Sequence, residues 1–343
     1  MRRWVLVLSL LVVALAGADY AYWNWAAQTL LRGIQTWVTE RRAEGWRIEL
    51  GPISVAGWPN VVTARIASIH MARFAREIDG DIDISVNGTT LSVALWRPTE
   101  LSLVLDGDQR VALNGRPPYL LRGDSLSASI PLANQASTPV TAQGRGLRLE
   151  AGDGVWVTVI AAIDGEAMMA RTDQGQPAVD FGIAATGIEL PNSVKWPLGT
   201  SIRNIAIAGR CDGPFPAARS AATLARDWRD GGGSLELKQA TVDWGPLVMS
   251  GTATLALDDQ LQPMGSGNAK VTGYVEALDR LAAAGVLTRS AATVAKAMLS
   301  LLAGTGTGDV PTEVEVPLSL QYRTLSMRQV PLVRLPELDW PSQ

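Results

Sequence analysis

The chain has 343 residues, enough for one large domain or two ordinary ones, and it can bury a sizeable core without disulfides. Its 30 basic and 33 acidic residues give a net charge of −3, which argues against a nucleic-acid partner, because binding phosphates requires a basic surface. A single cysteine and a single histidine exclude an intrachain disulfide, a thiolate metal site and most histidine-dependent hydrolase chemistry, so we predict no catalytic residue, no cofactor and no metal.

The N-terminal segment has the pattern of an export signal. Two arginines precede residues 4–18, which carry no charge, and such a pattern places the rest of the chain outside the cytoplasm. Two interpretations stay open. Small residues before position 19 form a cleavage site, but aromatic residues continue past Asp19, which favours a retained signal anchor in the inner membrane with the body in the periplasm. The predicted membrane-anchor residues are Trp4, Leu8, Leu11, Leu15, Tyr20 and Trp23.

Residues 23–44 show the apolar spacing of an amphipathic helix, and Gly45 follows at the position where helices commonly end. If the anchor is retained, the membrane segment and this helix can form one continuous rod. An apolar stripe of two turns is too long for a solvated linker, so we predict that the helix packs on the folded domain. The residues predicted to contact the sheet are Leu30, Ile34 and Trp37.

After Gly45 the apolar period changes from 3.6 to 2, which is typical of antiparallel strands with one buried face. Alternation is clear at 82–86, 91–95, 101–105, 126–132 and 155–159, and turns are predicted at Asn87-Gly88, Asp106-Gly107, Asn114-Gly115 and Asp164-Gly165. Helical patterns return at 217–229 and 274–302. The fold class predicted is α+β, with a long, curved, mostly antiparallel sheet wrapped on the N-terminal helix and two further helical regions.

Four segments are predicted along the chain: a signal or anchor at 1–18, the amphipathic helix at 19–45, a β-rich half at 46–212, and a helix-plus-strand half at 213–343 whose sheet continues the first. Residues 51–57 resemble residues 245–251, each beginning Gly-Pro. Either a repeated unit or chance turn chemistry explains a match of this length.

Several short motifs carry a family resemblance. They are Gly45-Trp46, Gly57-Trp58-Pro59, Asp243-Trp244-Gly245-Pro246-Leu247 and Leu261-Gln262-Pro263-Met264-Gly265. With the N-terminal segment, the chain resembles the bacterial domain-of-unknown-function family 2125 over nearly its whole length. The resemblance implies an envelope protein of Gram-negative bacteria with its bulk in the periplasm, and it brings no catalytic residue.

Other candidate sites have simpler structural explanations. Residues 79–83 offer carboxylates for calcium, but an EF-hand loop needs glycine and glutamate where Ile84 and Thr90 stand, so we interpret them as the wet face of a strand. The glycine-rich run at 304–309 follows a helix and lacks a P-loop lysine, which favours a connector. His70 has no nucleophile motif beside it and is interpreted as a strand-end residue.

The tryptophans and the shortage of helix lead to the functional hypotheses. Trp58, Trp96, Trp196 and Trp244 stand close to prolines and are predicted to fill the core at strand ends. Three helical regions are too few to cover so many one-sided strands, so part of an apolar sheet face is expected to form a groove for a lipid or another hydrophobic ligand. The alternatives are a structural or assembly partner in the envelope and, more remotely, a carboxylate-based hydrolase of envelope polymers.

Overall fold

A computed structural model describes residues 2–73, 81–113, 116–132, 138–152, 154, 156–215, 221–303, 313–328 and 330–340. Within these ranges the chain forms four helices and 18 strands, and the strands pair antiparallel. This confirms the predicted α+β class, with a long N-terminal helix and an antiparallel sheet. The chain divides into two compact units, one of residues 1–76 and 80–135, and one of residues 77–79 and 136–343.

The described residues of unit 1 form one long helix and eight strands. They are α1 (Arg2–Ala43), β1 (Arg47–Leu50), β2 (Ile53–Ala56), β3 (Val61–Arg73), β4 (Ile82–Ala94), β5 (Glu100–Leu105), β6 (Gln109–Leu113), β7 (Tyr119–Arg122) and β8 (Ser125–Pro131). Strand β3 pairs with β1, β2 and β4, and β4 pairs in turn with β5 and β6.

Helix α1 is uninterrupted, so the predicted continuous rod is confirmed. It ends where the sequence indicates. Gly45 has a φ of 91°, a left-handed conformation that glycine adopts without strain, and its N–H donates to the Arg42 carbonyl at 3.0 Å. The Trp46 N–H then donates to the Arg41 carbonyl at 3.1 Å, which satisfies a further carbonyl of the last turn.

The second half of α1 packs on the sheet of unit 1. Ile34 is 9% exposed and lies in a core cluster with Ala64 and Ile66 of β3, and Leu30 packs against that cluster. Trp37 is 39% exposed and Val38 is the buried residue of that turn, so the contact of Trp37 with the sheet stays a prediction. The buried residues of α1 are therefore spaced i, i+4, from Ile34 to Val38. Strand β3 contacts only this narrow line and not the whole apolar surface of the helix.

Two sequence features of unit 1 fold differently from expectation. Asn87-Gly88 is not a turn, because β4 continues through it and pairs with β3 on either side. The two Gly-Pro echoes also differ: β1 and β2 lie end to end along β3, whereas Gly245-Pro246 joins β13 (Ser234–Trp244) and β14 (Leu247–Leu257) as a hairpin. Residues 51–57 and 245–251 therefore share a Gly-Pro turn sequence but join strands that pair in different ways.

Unit 2 is a meander in which each strand pairs with the next. Besides β13 and β14, its elements are β9 (Val140–Glu150), β10 (Val157–Arg171), β11 (Pro177–Glu189), β12 (Ser201–Asp212), α2 (Ala221–Asp230), β15 (Pro263–Thr272), α3 (Tyr274–Ala283), α4 (Arg289–Ala303), β16 (Val314–Gln321), β17 (Thr324–Met327) and β18 (Val330–Arg334).

The helical regions of unit 2 match the predicted ones, with a break at Gly285 between α3 and α4. Asp164-Gly165 was expected as a turn and instead lies inside β10. Strand β12 ends at Asp212 and pairs with β13, so strands on both sides of that residue belong to one meander. The segment boundaries around it stay predictions.

Some predicted features lie outside the described residues. These are the glycine-rich run at 304–309, the turn at Asn114-Gly115, Asp79 and Gly80 of the candidate calcium loop, and the start of the helix at 217–220.

Candidate functional site

One side of the unit 2 meander is apolar across many strands. In an antiparallel sheet, residues paired across neighbouring strands point to the same side, and so do alternate residues along a strand. The register from β10 to β16 therefore defines four rows, which we call the apolar face. The rows are 163-185-205-242-249-271-314, 165-183-207-240-251-269-316, 167-181-209-237-253-267-318 and 169-179-211-235-255-265-320.

Every residue in these rows is aliphatic, aromatic, glycine, methionine or cysteine. The third and fourth rows continue to Met327 and Leu325 of β17. A bulge in β13 accounts for the three-residue step from Leu237 to Ala240 and keeps both side chains on this side. The apolar character is thus continuous across the meander.

The opposite side of the same strands is polar. One of its rows runs from Asp180 through Arg210 and Glu236 to Thr254, and another includes Lys270. This side is suited to water, so the meander is amphipathic as a whole sheet.

Helices α3 and α4 cover one end of the apolar face, and Trp228 of α2 lies beside Cys211 in its fourth row. Tyr274 of α3 and Leu299 of α4 join a buried cluster with Val314, Val316 and Met327. Farther along the same strands, a cavity of about 170 Å³ opens on the face. Its lining includes Gly251, Ala253, Leu255, Gly265, Gly267 and Leu318.

The floor of this cavity is low because its central positions carry glycine or alanine. A volume of about 170 Å³ is below the ~300–1,000 Å³ of closed small-molecule pockets. The face also stays open toward β11 and β12, where Ile183 and Ile207 are exposed. The geometry is therefore that of an open apolar groove, which suits an elongated ligand.

The one titratable group in the four rows is the Cys211 thiol. Burial raises the pKa of this thiol above its ordinary value. The neighbouring Trp228 side chain opposes this in part, and the carboxylate of Asp212 adds to it. The thiol is therefore protonated at neutral pH and belongs to the apolar face where α2 lies against it.

Comparison with known protein families decides the assignment. The family described as an uncharacterized protein conserved in bacteria, DUF2125, matches residues 23–336. The chain belongs to the DUF2125 family. The match takes in the groove, both Gly-Pro turns and the part of α1 that packs on β3. No curated protein and no solved structure matches the chain.

The DUF2125 motif residues build turns. The Trp244 Nε1–H donates to the Gly199 carbonyl at 2.7 Å. Gly245 has a φ of 58°, and a Cβ there would lie 2.0 Å from the Leu198 carbonyl oxygen, so no larger residue fits. Gly57, Trp58 and Pro59 form the connection from β2 to β3. These residues shape strand ends and are separate from the groove.

The predicted membrane-anchor residues all lie on α1. Helix α1 contains, from Leu6 onward, a stretch that by its length and composition could cross a membrane. A signal sequence meets the same criteria. Trp4, Leu8, Leu11, Leu15 and Tyr20 are exposed. Trp23 differs, because its Nε1–H donates to the Val61 carbonyl at 2.8 Å and ties the helix to β3.

Only two of the four tryptophans predicted to fill the core at strand ends are partly buried. Trp196 and Trp244 are partly buried and their rings are neighbours, with centroids 6.3 Å apart. Trp58 and Trp96 are 51% and 67% exposed, so the expectation that they fill the core is wrong. Proximity to proline placed them in connections, and connections at the end of a sheet have no opposite layer to cover them.

The other candidate residues form no metal cluster within the part of the chain that the structure describes. His70 Nε2 lies 3.1 Å from both carboxylate oxygens of Asp83, in a half-exposed pair between β3 and β4.

An ion cluster of Asp180, Arg210 and Lys238 lies on the polar side of unit 2. Arg210 donates through Nε and a terminal nitrogen to the two oxygens of Asp180 at 2.8 and 2.7 Å, and Lys238 lies 3.4 Å away. The hydrogen bonds from Arg210 hold the pKa of the Asp180 carboxyl below its ordinary value, while desolvation opposes this in part.

Asp180→Asn is therefore expected to lower the urea midpoint at neutral pH. Because the folded-state pKa of Asp180 is depressed, its stabilisation is present above the unfolded-state pKa of ~3.9 and is lost as pH falls through the folded-state pKa. The difference in midpoint between the wild type and the variant should be constant from pH 7 to 5 and shrink as the pH falls below the unfolded-state pKa. Asp173→Asn, in the exposed β10–β11 turn, is the control and should show no such trend. A pH-independent loss in Asp180→Asn would contradict the electrostatic explanation.

The sequence contains a signal for part of the apolar face. Alternation is present in β11 at Val179, Phe181 and Ile183 and in β12 at Ile205 and Ile207. Strand β15 was hidden, because glycine, serine and asparagine fill its central positions and such residues are depleted in strands.

Proposed function

We propose that this DUF2125 protein is a non-enzymatic lipid-binding protein of the bacterial envelope, held in the inner membrane by the first half of α1, with its body in the periplasm. The apolar face of unit 2 binds lipid acyl chains. The observation that carries the proposal is the continuity of four apolar rows, which α3 and α4 cover at one end and α2 covers beside Cys211, while Ile183 and Ile207 stay exposed.

An acyl chain fits the chemistry of this face better than a polar ligand. A pocket for a polar molecule places a few hydrogen-bonding groups to orient it, whereas the rows hold none beyond a protonated thiol. An open apolar strip of this kind is costly in water unless something covers it. The membrane to which α1 attaches the chain supplies acyl chains at high local concentration.

The test compares two exposed positions on opposite sides of the meander. Ile207 on the apolar face is 38% exposed and Val248 on the polar side is 37% exposed. The full-length protein is reconstituted in bilayers of phosphatidylethanolamine and phosphatidylglycerol that contain a phospholipid with a photoreactive acyl chain. After illumination, crosslinked peptides are mapped by mass spectrometry, and those from β10–β16 are counted separately from those of α1.

The wild type is expected to crosslink within β10–β16. Ile207→Asp should reduce that crosslinking about tenfold, because a carboxylate beside an acyl chain loses its hydration. Val248→Asp should leave crosslinking unchanged. Circular dichroism checks that both variants fold. Equal crosslinking in the wild type and Ile207→Asp, or none in the wild type, would refute the lipid-binding proposal.

One observation favours the second candidate, a structural or assembly partner. The apolar face is broad and open toward β11 and β12, as protein interfaces are. In that case, a photoreactive residue placed at position 207 would crosslink to one envelope protein in cells, and the lipid probe would not label β10–β16.

A further inference from the structure

Helix α1 and strand β3 run side by side in the same direction, and their contacts fix the height of the helix against the sheet. Trp23 is hydrogen-bonded to Val61 at the start of β3, and Ile34 packs with Ile66. Eleven residues of helix and five residues of strand both span about 16 Å, so the two contacts agree with a straight, parallel arrangement. The part of α1 before Trp23 therefore projects beyond the start of β3.

The projecting part matches a bilayer in length. Residues 2–20 of a helix span about 27 Å, close to the ~30 Å of the hydrocarbon core. The outer membrane–water interface then falls at Tyr20, Tyr22 and Trp25, which are exposed aromatic side chains of the kind found at that depth. The end of unit 1 where β3 begins is at the same height.

Two exposed tryptophans occupy that end of unit 1. Trp58 lies in the β2–β3 connection, with its ring centroid 6.4 Å from that of Tyr20. Trp96 lies in the β4–β5 connection, directly after Leu95, whose N–H donates to the Asn60 carbonyl at 3.0 Å. Both connections therefore meet beside the point where α1 leaves the sheet.

We propose that Trp58 and Trp96 insert into the outer interface of the same bilayer that α1 spans, and hold unit 1 end-on against the membrane. The proposal rests on the membrane anchoring of α1. Indole rings prefer this depth because they combine an apolar body with one polar N–H. The ring of Tyr20 is a neighbour of both Trp23 and Trp58, so aromatic contacts run without a gap from α1 to the β2–β3 connection. This continuity points to the bilayer as the occupant of the surface that Trp58 and Trp96 form.

With these contacts, α1 is more than a tether. Two inserted side chains on separate connections restrict the tilt of the helix and the rotation of unit 1 about it. Unit 1 is thereby held at a fixed height above the lipid headgroups.

Spin-label accessibility in nanodiscs tests this surface. The full chain carries Cys211→Ser and one of four single replacements, Asn60→Cys, Arg97→Cys, Glu40→Cys or Leu11→Cys, in nanodiscs of phosphatidylethanolamine and phosphatidylglycerol. Asn60 and Arg97 are the neighbours of the two tryptophans, Glu40 is an exposed position about 25 Å farther along α1, and Leu11 reports on the membrane segment. Collision rates with O₂, which concentrates in lipid, and with a water-soluble nickel chelate are measured for each label.

Labels at positions 60 and 97 are expected to collide with nickel several-fold less than the label at 40, and to remain accessible to O₂. Trp58→Ser together with Trp96→Ser should raise the nickel collision rate at both positions to that of position 40. Trp58→Tyr together with Trp96→Tyr should keep it low, because tyrosine also favours the interface. This proposal would be overturned if the labels at 60 and 97, with both tryptophans present, collide with nickel as often as the label at 40 does. If the label at 11 is deep in lipid in the same experiment, the anchoring of α1 still stands.

Exclusion of both O₂ and nickel at 60 and 97 would show a protein contact, and would also overturn it. A water-accessible label at position 11 would refute the anchoring of α1 and this proposal together.

Discussion

Ile34→Ala is expected to lower the free energy of unfolding by about 2–5 kcal/mol, because it removes buried methylene groups and leaves a cavity between α1 and β3. Ile34 lies against Ala64 and Ile66, two of the most buried side chains of unit 1. Trp37→Ala, one turn away, should cost less, about 1–2 kcal/mol, because the indole is 39% exposed and keeps part of its contact with solvent in the folded protein. Urea unfolding in detergent micelles, followed by circular dichroism, measures both changes.

Truncation extends the same comparison. A chain starting at Asp19 keeps the packing half of α1 and should fold, whereas one starting at Gly45 exposes the helix-binding side of β3 and should be insoluble or molten. If the two shortened chains unfold cooperatively at the same temperature, or if Ile34→Ala and Trp37→Ala cost the same, the packing of α1 on β3 is refuted.

Leu299→Ala is expected to lower the free energy of unfolding by about 2–5 kcal/mol, because it leaves a cavity where α4 packs on the apolar face. Leu299 of α4 is 6% exposed and belongs to the cluster with Val316 and Met327, while Leu301 on the same helix is 83% exposed. Leu301→Ala is therefore a matched control and should change the free energy of unfolding by no more than about 0.5 kcal/mol. Urea unfolding followed by tryptophan fluorescence gives both values.

This second comparison also reports on the groove. If α4 is a fixed cover, Leu299→Ala should increase the binding of a fluorescent dye specific for exposed apolar surface, and Leu301→Ala should not. If Leu299→Ala and Leu301→Ala lower the free energy of unfolding by similar amounts, α4 does not pack on β16 and β17 through Leu299.

Local sequence determined the individual elements of this protein. The uncharged run after the two arginines predicts the membrane segment, and Gly45 ends α1 because its left-handed conformation closes the last turn. Alternating strands and the helices around Gly285 follow in the same way, since apolar periodicity and capping act over a few residues. The sequence also predicted that apolar strand surface would exceed the helix available to cover it.

Tertiary structure alone decided how these elements combine. Four apolar rows exist only because the registers of successive hairpins agree, and a shift of one residue would turn a strand's apolar side chains to the polar side. Asn87-Gly88 and Asp164-Gly165 have turn chemistry but lie inside long strands, because neighbouring strands pair on both sides of them. Val38 rather than Trp37 is buried because the position of β3 selects the contact line on α1. Trp58 and Trp96 are exposed for a similar reason: their surroundings are set by the end of a sheet, which is formed by residues far apart in the chain.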